Sequence, residues 1–247
     1  APSEMAATLD AHGLQAVGGF TPLLLHARGH DPVPEVVRLL AGYAASGAGT
    51  LVLSAVTGRD GYDSRPELDQ DGWATLLANL DRIARTAAEH NVKAVLHPHV
   101  GTMVETGADV RRVLEGSGIA LCLDTGHLLV GGTDPAALAR QAPERIAHTH
   151  MKDVHARLAA EVRDGRRSYT EAVRAGMYRP LGSGDVDTPA IVEHLLGRGY
   201  DGWWVLEQDT VLTEEPAGVG PVADVHTSVT YLTSLLERQS DLLEKQP

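Results

Sequence analysis

The chain predicts an α/β fold, a parallel (β/α)8 TIM barrel lacking or truncated at its first strand, on three observations. Short apolar runs alternate with amphipathic helical stretches, the order that builds βα units. Four of those runs, AVLHPH, LCLDTGH, IAHTHMKD and WVLEQD, close on residues able to do chemistry, and a parallel barrel carries its site at the carboxyl ends of its strands. The length, 247 residues, is one that such barrels reach as a single domain, taken as residues 1–247.

The chain opens on a helix-like stretch, Pro2–His12, that leads through Gly13 into a first strand at Leu14–Gly18. An eight-unit barrel of this design would start one strand earlier. Further strands are expected at Thr50–Ala55, Val92–His97, Ile119–Asp124, Ile146–His150 and Trp203–Glu207, with a weaker one near Tyr178–Leu181. Between them, Val33, Val36, Val37, Leu40 and Tyr43 form one helical stripe, and Trp73, Leu76, Leu77, Leu80, Ile83 and Ala87 a longer one. Asp134-Pro135 and Thr188-Pro189 read as helix starts, a capping side chain followed by a proline suited to the first turn. The polar stretch His155–Arg179 exceeds a usual βα connection; it has room for a short helix around Tyr169–Arg174, and such loops often cover a site.

Composition narrows the function. Twenty-one basic against 33 acidic residues give a net charge of −12, a field that repels phosphate backbones, so nucleic acid is not expected as a partner. No apolar run is long enough for a bilayer span, so no membrane partner is expected either. One cysteine, Cys122, cannot form an internal disulfide, which together with the lack of a visible secretory signal points to the cytoplasm. Association with its own copies as a homo-oligomer is left open.

Strand alternation sorts the chemistry onto one face. His97 and His99 share parity, as do Cys122 and Asp124, His148 and His150, and Val205 and Glu207. Imidazoles and carboxylates confined together call for a compensating cation or hydrogen bonds. A mixed set of this kind suits manganese or cobalt best, with zinc and magnesium also admissible. The ligands assigned are Glu105, Asp124, His150 and Glu207, and His97 or His99 can replace Glu105. The glycines of PLGSGDVD lack the lysine and helix entry of a phosphate loop, so a turn carrying Ser183 and Asp185 is expected there.

The segments HPHVGTMVET, LCLDTGHLLVGGTDP, RIAHTHMKDV, AVRAGMYRPLGSGDVD and GWWVLEQD, in that order, resemble the xylose-isomerase-like superfamily of sugar isomerases and epimerases. Within it the chain is most similar to myo-inosose dehydratases. LDTGH and the H-x-K-D pattern are shared widely among these barrels; the His97/His99 pair followed by Gly101-Thr102, and AVRAG before the glycine turn, are narrower. The resemblance implies a divalent metal and dehydration of a keto-inositol, 2-keto-myo-inositol, to a cyclic diketone in inositol breakdown. It also implies that Asp124, His150 and Glu207 are metal ligands, with a fourth from the His97–Glu105 region.

Such a reaction removes a proton beside a ketone and expels hydroxide from the neighbouring carbon, through an enediolate that a chelating cation stabilises. Glu207, His97 and His99 are the candidate acid/base groups. His127, Lys152 and Arg179 are candidates for orienting the hydroxyls of a keto-polyol substrate. The same centre would serve a keto-sugar isomerase or epimerase, or a 3-dehydroshikimate dehydratase.

Overall fold

The structure is a computed structural model that describes residues 2–212, 214–215 and 218–244. Among the described residues, eight strands, β1 (Gly18–Leu23), β2 (Thr50–Ala55), β3 (Lys93–Leu96), β4 (Ala120–Asp124), β5 (Ile146–Met151), β6 (Asp153–Val154), β7 (Tyr178–Arg179) and β8 (Trp204–Leu206), are interleaved with ten α-helices. The helices are α1 (Pro2–Ala11), α2 (Val33–Ser46), α3 (Gln70–Glu89), α4 (Gly107–Gly116), α5 (Thr125–Val130), α6 (Pro135–Gln141), α7 (Ala156–Arg163), α8 (Tyr169–Arg174), α9 (Thr188–Leu196) and α10 (Val222–Glu244).

Six strands form one sheet in the order β1-β2-β3-β4-β5-β8, every neighbouring pair parallel. Among the described residues the sheet is therefore an arc two strands short of the eight that close a barrel, rather than the one expected. The first strand also lies later than the expected Leu14–Gly18. The segment GGFTPL reads as turn chemistry, yet β1 is an edge strand, where a proline is tolerated. The expected strand near Tyr178–Leu181 shrinks to β7, which pairs antiparallel with β6 outside the main sheet.

All six residues of β2 are buried, and the stripes of α2 and α3 place Val36, Leu40, Trp73, Leu76, Leu80 and Ile83 in the core between sheet and helices. A second small cluster, Val52, Val95 and Cys122, faces the concave side of the arc. Asp134 caps α6 by accepting from Ala136 and Ala137 N–H. For α9 the cap is Asp187, not Thr188, and it accepts from Ala190 N–H.

The PLGSGDVD segment is held by Asp153, which is wholly buried. Its carboxylate accepts from the N–H groups of Gly182 and Gly184, both at 2.9 Å, and of Val186 at 3.0 Å. A Cβ on Gly184 would sit 2.3 Å from that carboxylate, so only glycine lets the turn close this tightly. The aspartate of the H-x-K-D pattern thus organises a turn. Replacing Asp153 by Ala takes the acceptor from four amides, those of Val154, Gly182, Gly184 and Val186, of which the first and last belong to buried residues, and urea denaturation is expected to show a loss of at least about 3 kcal/mol.

Candidate active site

Four strand ends converge on the concave side. His97 and His99 follow β3, Asp124 ends β4, His150 lies in β5 with Lys152 just beyond it, and Glu207 and Asp209 follow β8. Asp124 and His150 are direct cross-strand partners in the β4–β5 register. The two strand ends are locked by Thr125, whose hydroxyl donates to Lys152 C=O at 2.6 Å and accepts from Lys152 N–H at 2.8 Å.

Asp124 is at the centre and has no solvent exposure. One carboxylate oxygen accepts from His127 N–H at 2.7 Å, capping α5. The other lies 3.0 Å from His97 Nε2, 3.2 Å from Lys152 Nζ and 3.6 Å from His150 Nδ1. Lys152 Nζ also lies 2.7 Å from Glu207 Oε2 and 3.0 Å from Asp209 Oδ2. Burial opposes charge on Asp124, but the Lys152 ammonium and the surrounding imidazoles hold its carboxyl well below the usual range. Glu207 behaves alike: burial works against its charge, while His150 and Lys152 draw it down to about 2. Burial also opposes the Lys152 charge, and Asp124, Glu207 and Asp209 reverse that and keep it protonated.

These residues fit a divalent cation. Donor atoms of Asp124, His150 and Glu207 lie within 4.8 Å of one another. Although His150 Nδ1 and Glu207 Oε2 are only 3.1 Å apart, neither makes a hydrogen bond of acceptable geometry, and both are buried. Three carboxylates face the Lys152 ammonium and the His150 imidazole, which its acidic neighbours push up to about 12 against burial, so a cation bound here would take the place of the imidazole proton.

The imidazoles face a cavity of about 300 Å³, at the lower end of the ~300–1,000 Å³ of small-molecule sites. His99 and His127 overlap across it, ring centroids 3.6 Å apart. His99 Nδ1–H donates to Val100 C=O at 2.7 Å, which leaves Nε2 with a lone pair. Burial pushes His99 down to about 4 and His127 also well down, so both rings are neutral. Phe20, Tyr62 and Tyr169 form an aromatic wall. Tyr169 is fixed at both ends: its N–H donates to Asp63 at 2.6 Å, and its hydroxyl meets that of Tyr178 at 3.0 Å.

The structure brings together His97, His99, Asp124, His127, His150, Lys152 and Glu207. It places Glu105 elsewhere, a correction to its assignment as a ligand. After His99 the chain makes a tight turn in which His99 N–H donates to Val104 C=O, and Glu105 closes it by accepting from Gly101 N–H at 2.9 Å. Its carboxylate then lies 3.9 Å from Arg65 Nε, and both residues line a separate cavity. Arg179 is also outside the site. Tyr178 turns its ring under the Lys152 ammonium, 5.5 Å away, so alternation along β7 points Arg179 to solvent.

Sequence reasoning missed Asp209, Phe20, Tyr62 and Tyr169 as lining residues. Asp209 was within reach, because it shares parity with Glu207. Tyr169 lies on the short helix expected in the long loop.

The family model described as xylose isomerase-like TIM barrel matches residues 2–225. The chain belongs to this family. Among its relatives, an inosose dehydratase of Geobacillus thermodenitrificans is 33% identical over 163 residues, 65% of this chain and 53% of that protein. The rhizopine catabolism protein MocC of Rhizobium meliloti is 32% identical over 210 residues, 81% of this chain and 65% of that protein. The chain therefore spans between half and two thirds of the length of these relatives. The crystal structure of IolI with a bound zinc atom superposes with a TM-score of 0.70 at 14% identity, over 97% of this chain and 82% of that one, which shows a shared fold.

A pH dependence follows from the buried imidazoles. His99 and His148 take up a proton near pH 6.5 when unfolded but only near 4 when folded, mainly because burial disfavours the charge. Between those values the unfolded state binds more protons, so stability falls as pH drops. Glu207 adds a further loss from about 4.5 toward about 2. Thermal melts of the metal-free chain should show the midpoint falling steadily below pH 6.5; a midpoint flat from pH 7 to 4.5 would contradict this.

Proposed function

We propose that the chain is a metal-dependent hydro-lyase that removes water from a small cyclic keto-polyol, with a keto-inositol as substrate and a cyclic diketone as product. The observation that carries this is the Asp124, His150 and Glu207 donor set beside the close-packed, tilted His99/His127 pair, on one small cavity. The names of the inosose dehydratase relatives support the substrate class.

Asp124, His150 and Glu207 would hold the cation, which when bound polarises a ketone oxygen and stabilises charge developing there. Glu207, kept ionised by His150 and Lys152 against its burial, suits the role of a ligand. His99 is the group suited to take the carbon-bound proton, because its Nδ1–H is engaged and its Nε2 lone pair is free. The protonated His99 then gives that proton to the leaving hydroxyl, and His127, its ring centroid 3.6 Å away, holds the His99 ring in place. One proton and one hydroxide leave as water, so the cycle ends with both imidazoles neutral. Lys152 directs its three N–H groups at Asp124, Glu207 and Asp209 and so orders those carboxylates, while the Tyr169 hydroxyl, accepting from Tyr178, is a donor for a ring hydroxyl.

An isomerase or epimerase would use the same groups to return the proton. Incubation with manganese and 2-keto-myo-inositol, and separately with keto-sugars, separates the two. New ultraviolet absorbance from a diketone is expected, and interconverted sugars without it would defeat the dehydratase reading. Glu207→Gln should abolish manganese binding and lower kcat/KM at least about 100-fold.

A further inference from the structure

The concave face continues beneath the proposed cation position. Cys122, two residues before Asp124 on β4, is wholly buried. It offers sulfur within 4.8 Å of ligand nitrogens of His97 and His150, and all three residues are buried. A second observation points to a ligand. Because Asp124 is ionised and can only accept, His97 must donate its Nε2–H to Asp124, 3.0 Å away. That fixes the tautomer and leaves the lone pair on Nδ1, a buried atom with no hydrogen-bond partner. An imidazole oriented by a carboxylate, with its other nitrogen free, is the usual arrangement of a metal-bound histidine.

We propose that this chain binds a thiophilic divalent ion of the zinc class through Cys122, His97 and His150, one tier below the Asp124, His150 and Glu207 set, with Asp124 orienting His97. The proposal rests on the reading that the barrel mouth takes a divalent cation, and His150 is common to both positions. The upper set has two oxygens and a nitrogen and suits manganese or magnesium. The lower has two nitrogens and a sulfur and suits zinc or cobalt. The identity of the ion would then decide which tier it occupies. Coordination replaces the thiol proton, which leaves to solvent.

Cobalt(II) titration followed by absorption tests this, because Cys122 is the chain's one cysteine and so the one source of thiolate. The wild-type chain should show a near-ultraviolet thiolate-to-cobalt charge-transfer band. Cys122→Ser should lose that band but keep the visible cobalt bands, and should bind zinc at least about tenfold more weakly with manganese affinity unchanged. Glu207→Gln should keep the band and lose manganese. Cys122→Ala, with fold confirmed by circular dichroism, gives the same reading should the serine variant misfold. Cobalt bound without the band, or a band that survives in Cys122→Ser, overturns the sulfur site and leaves the mouth reading standing. A wild-type chain that binds neither cobalt nor manganese overturns both.

Discussion

A carboxylate buried to zero exposure at a strand end has to be matched by its surroundings, and in this chain those surroundings are the site. Removing Asp124 from water costs several kcal/mol unless charge and hydrogen bonds replace the lost hydration. The α5 N-terminus supplies one N–H, His97 a second donor, and Lys152 an opposite charge. Each then imposes order of its own. Lys152 draws Glu207 and Asp209 in from the end of β8, and His97 is fixed as one tautomer. The chemistry attributed to the cavity depends on this chain of compensations more than on any single ligand.

The sheet positions these groups by register. Parallel pairing of β4 with β5 sets Asp124 opposite His150, and pairing of β5 with β8 brings Glu207 N–H to Met151 C=O. Two edges, β1 and β8, flank the arc. Phe20, on the β1 edge, packs edge-on against His97 with ring centroids 5.7 Å apart, yet remains 53% exposed. The aromatic wall of the cavity is thus built partly from an edge strand.

Much of this was legible in the sequence where a strand is buried on both faces. Such strands read as unbroken apolar runs, so β2 to β5 fell close to expectation, as did the half-buried edge strand β8, and their ends bring Asp124, His150 and Glu207 together. Legibility failed where local chemistry and tertiary role diverge. Gly18, Gly19 and Pro22 signal a turn, but an edge strand accommodates them, and β1 was misplaced. Glu105 has the composition of a ligand; only the fold of the turn after His99 shows its carboxylate engaged by Gly101. Arg179 turns outward because Tyr178 is needed beneath Lys152, a pairing set by a two-residue strand too short to read. Asp153 and Asp124 are both aspartates after apolar runs, yet one closes a backbone turn and the other organises the centre.

The central claim is that the Asp124 centre holds a divalent cation for chemistry on a keto-polyol. Anomalous scattering from crystals grown with manganese and 2-keto-myo-inositol tests it most directly. The predicted result is one ion about 2.0–2.2 Å from oxygens of Asp124 and Glu207 and a nitrogen of His150, with the substrate against His99. Absence of anomalous density there, with Lys152 still bridging the three carboxylates, would contradict it.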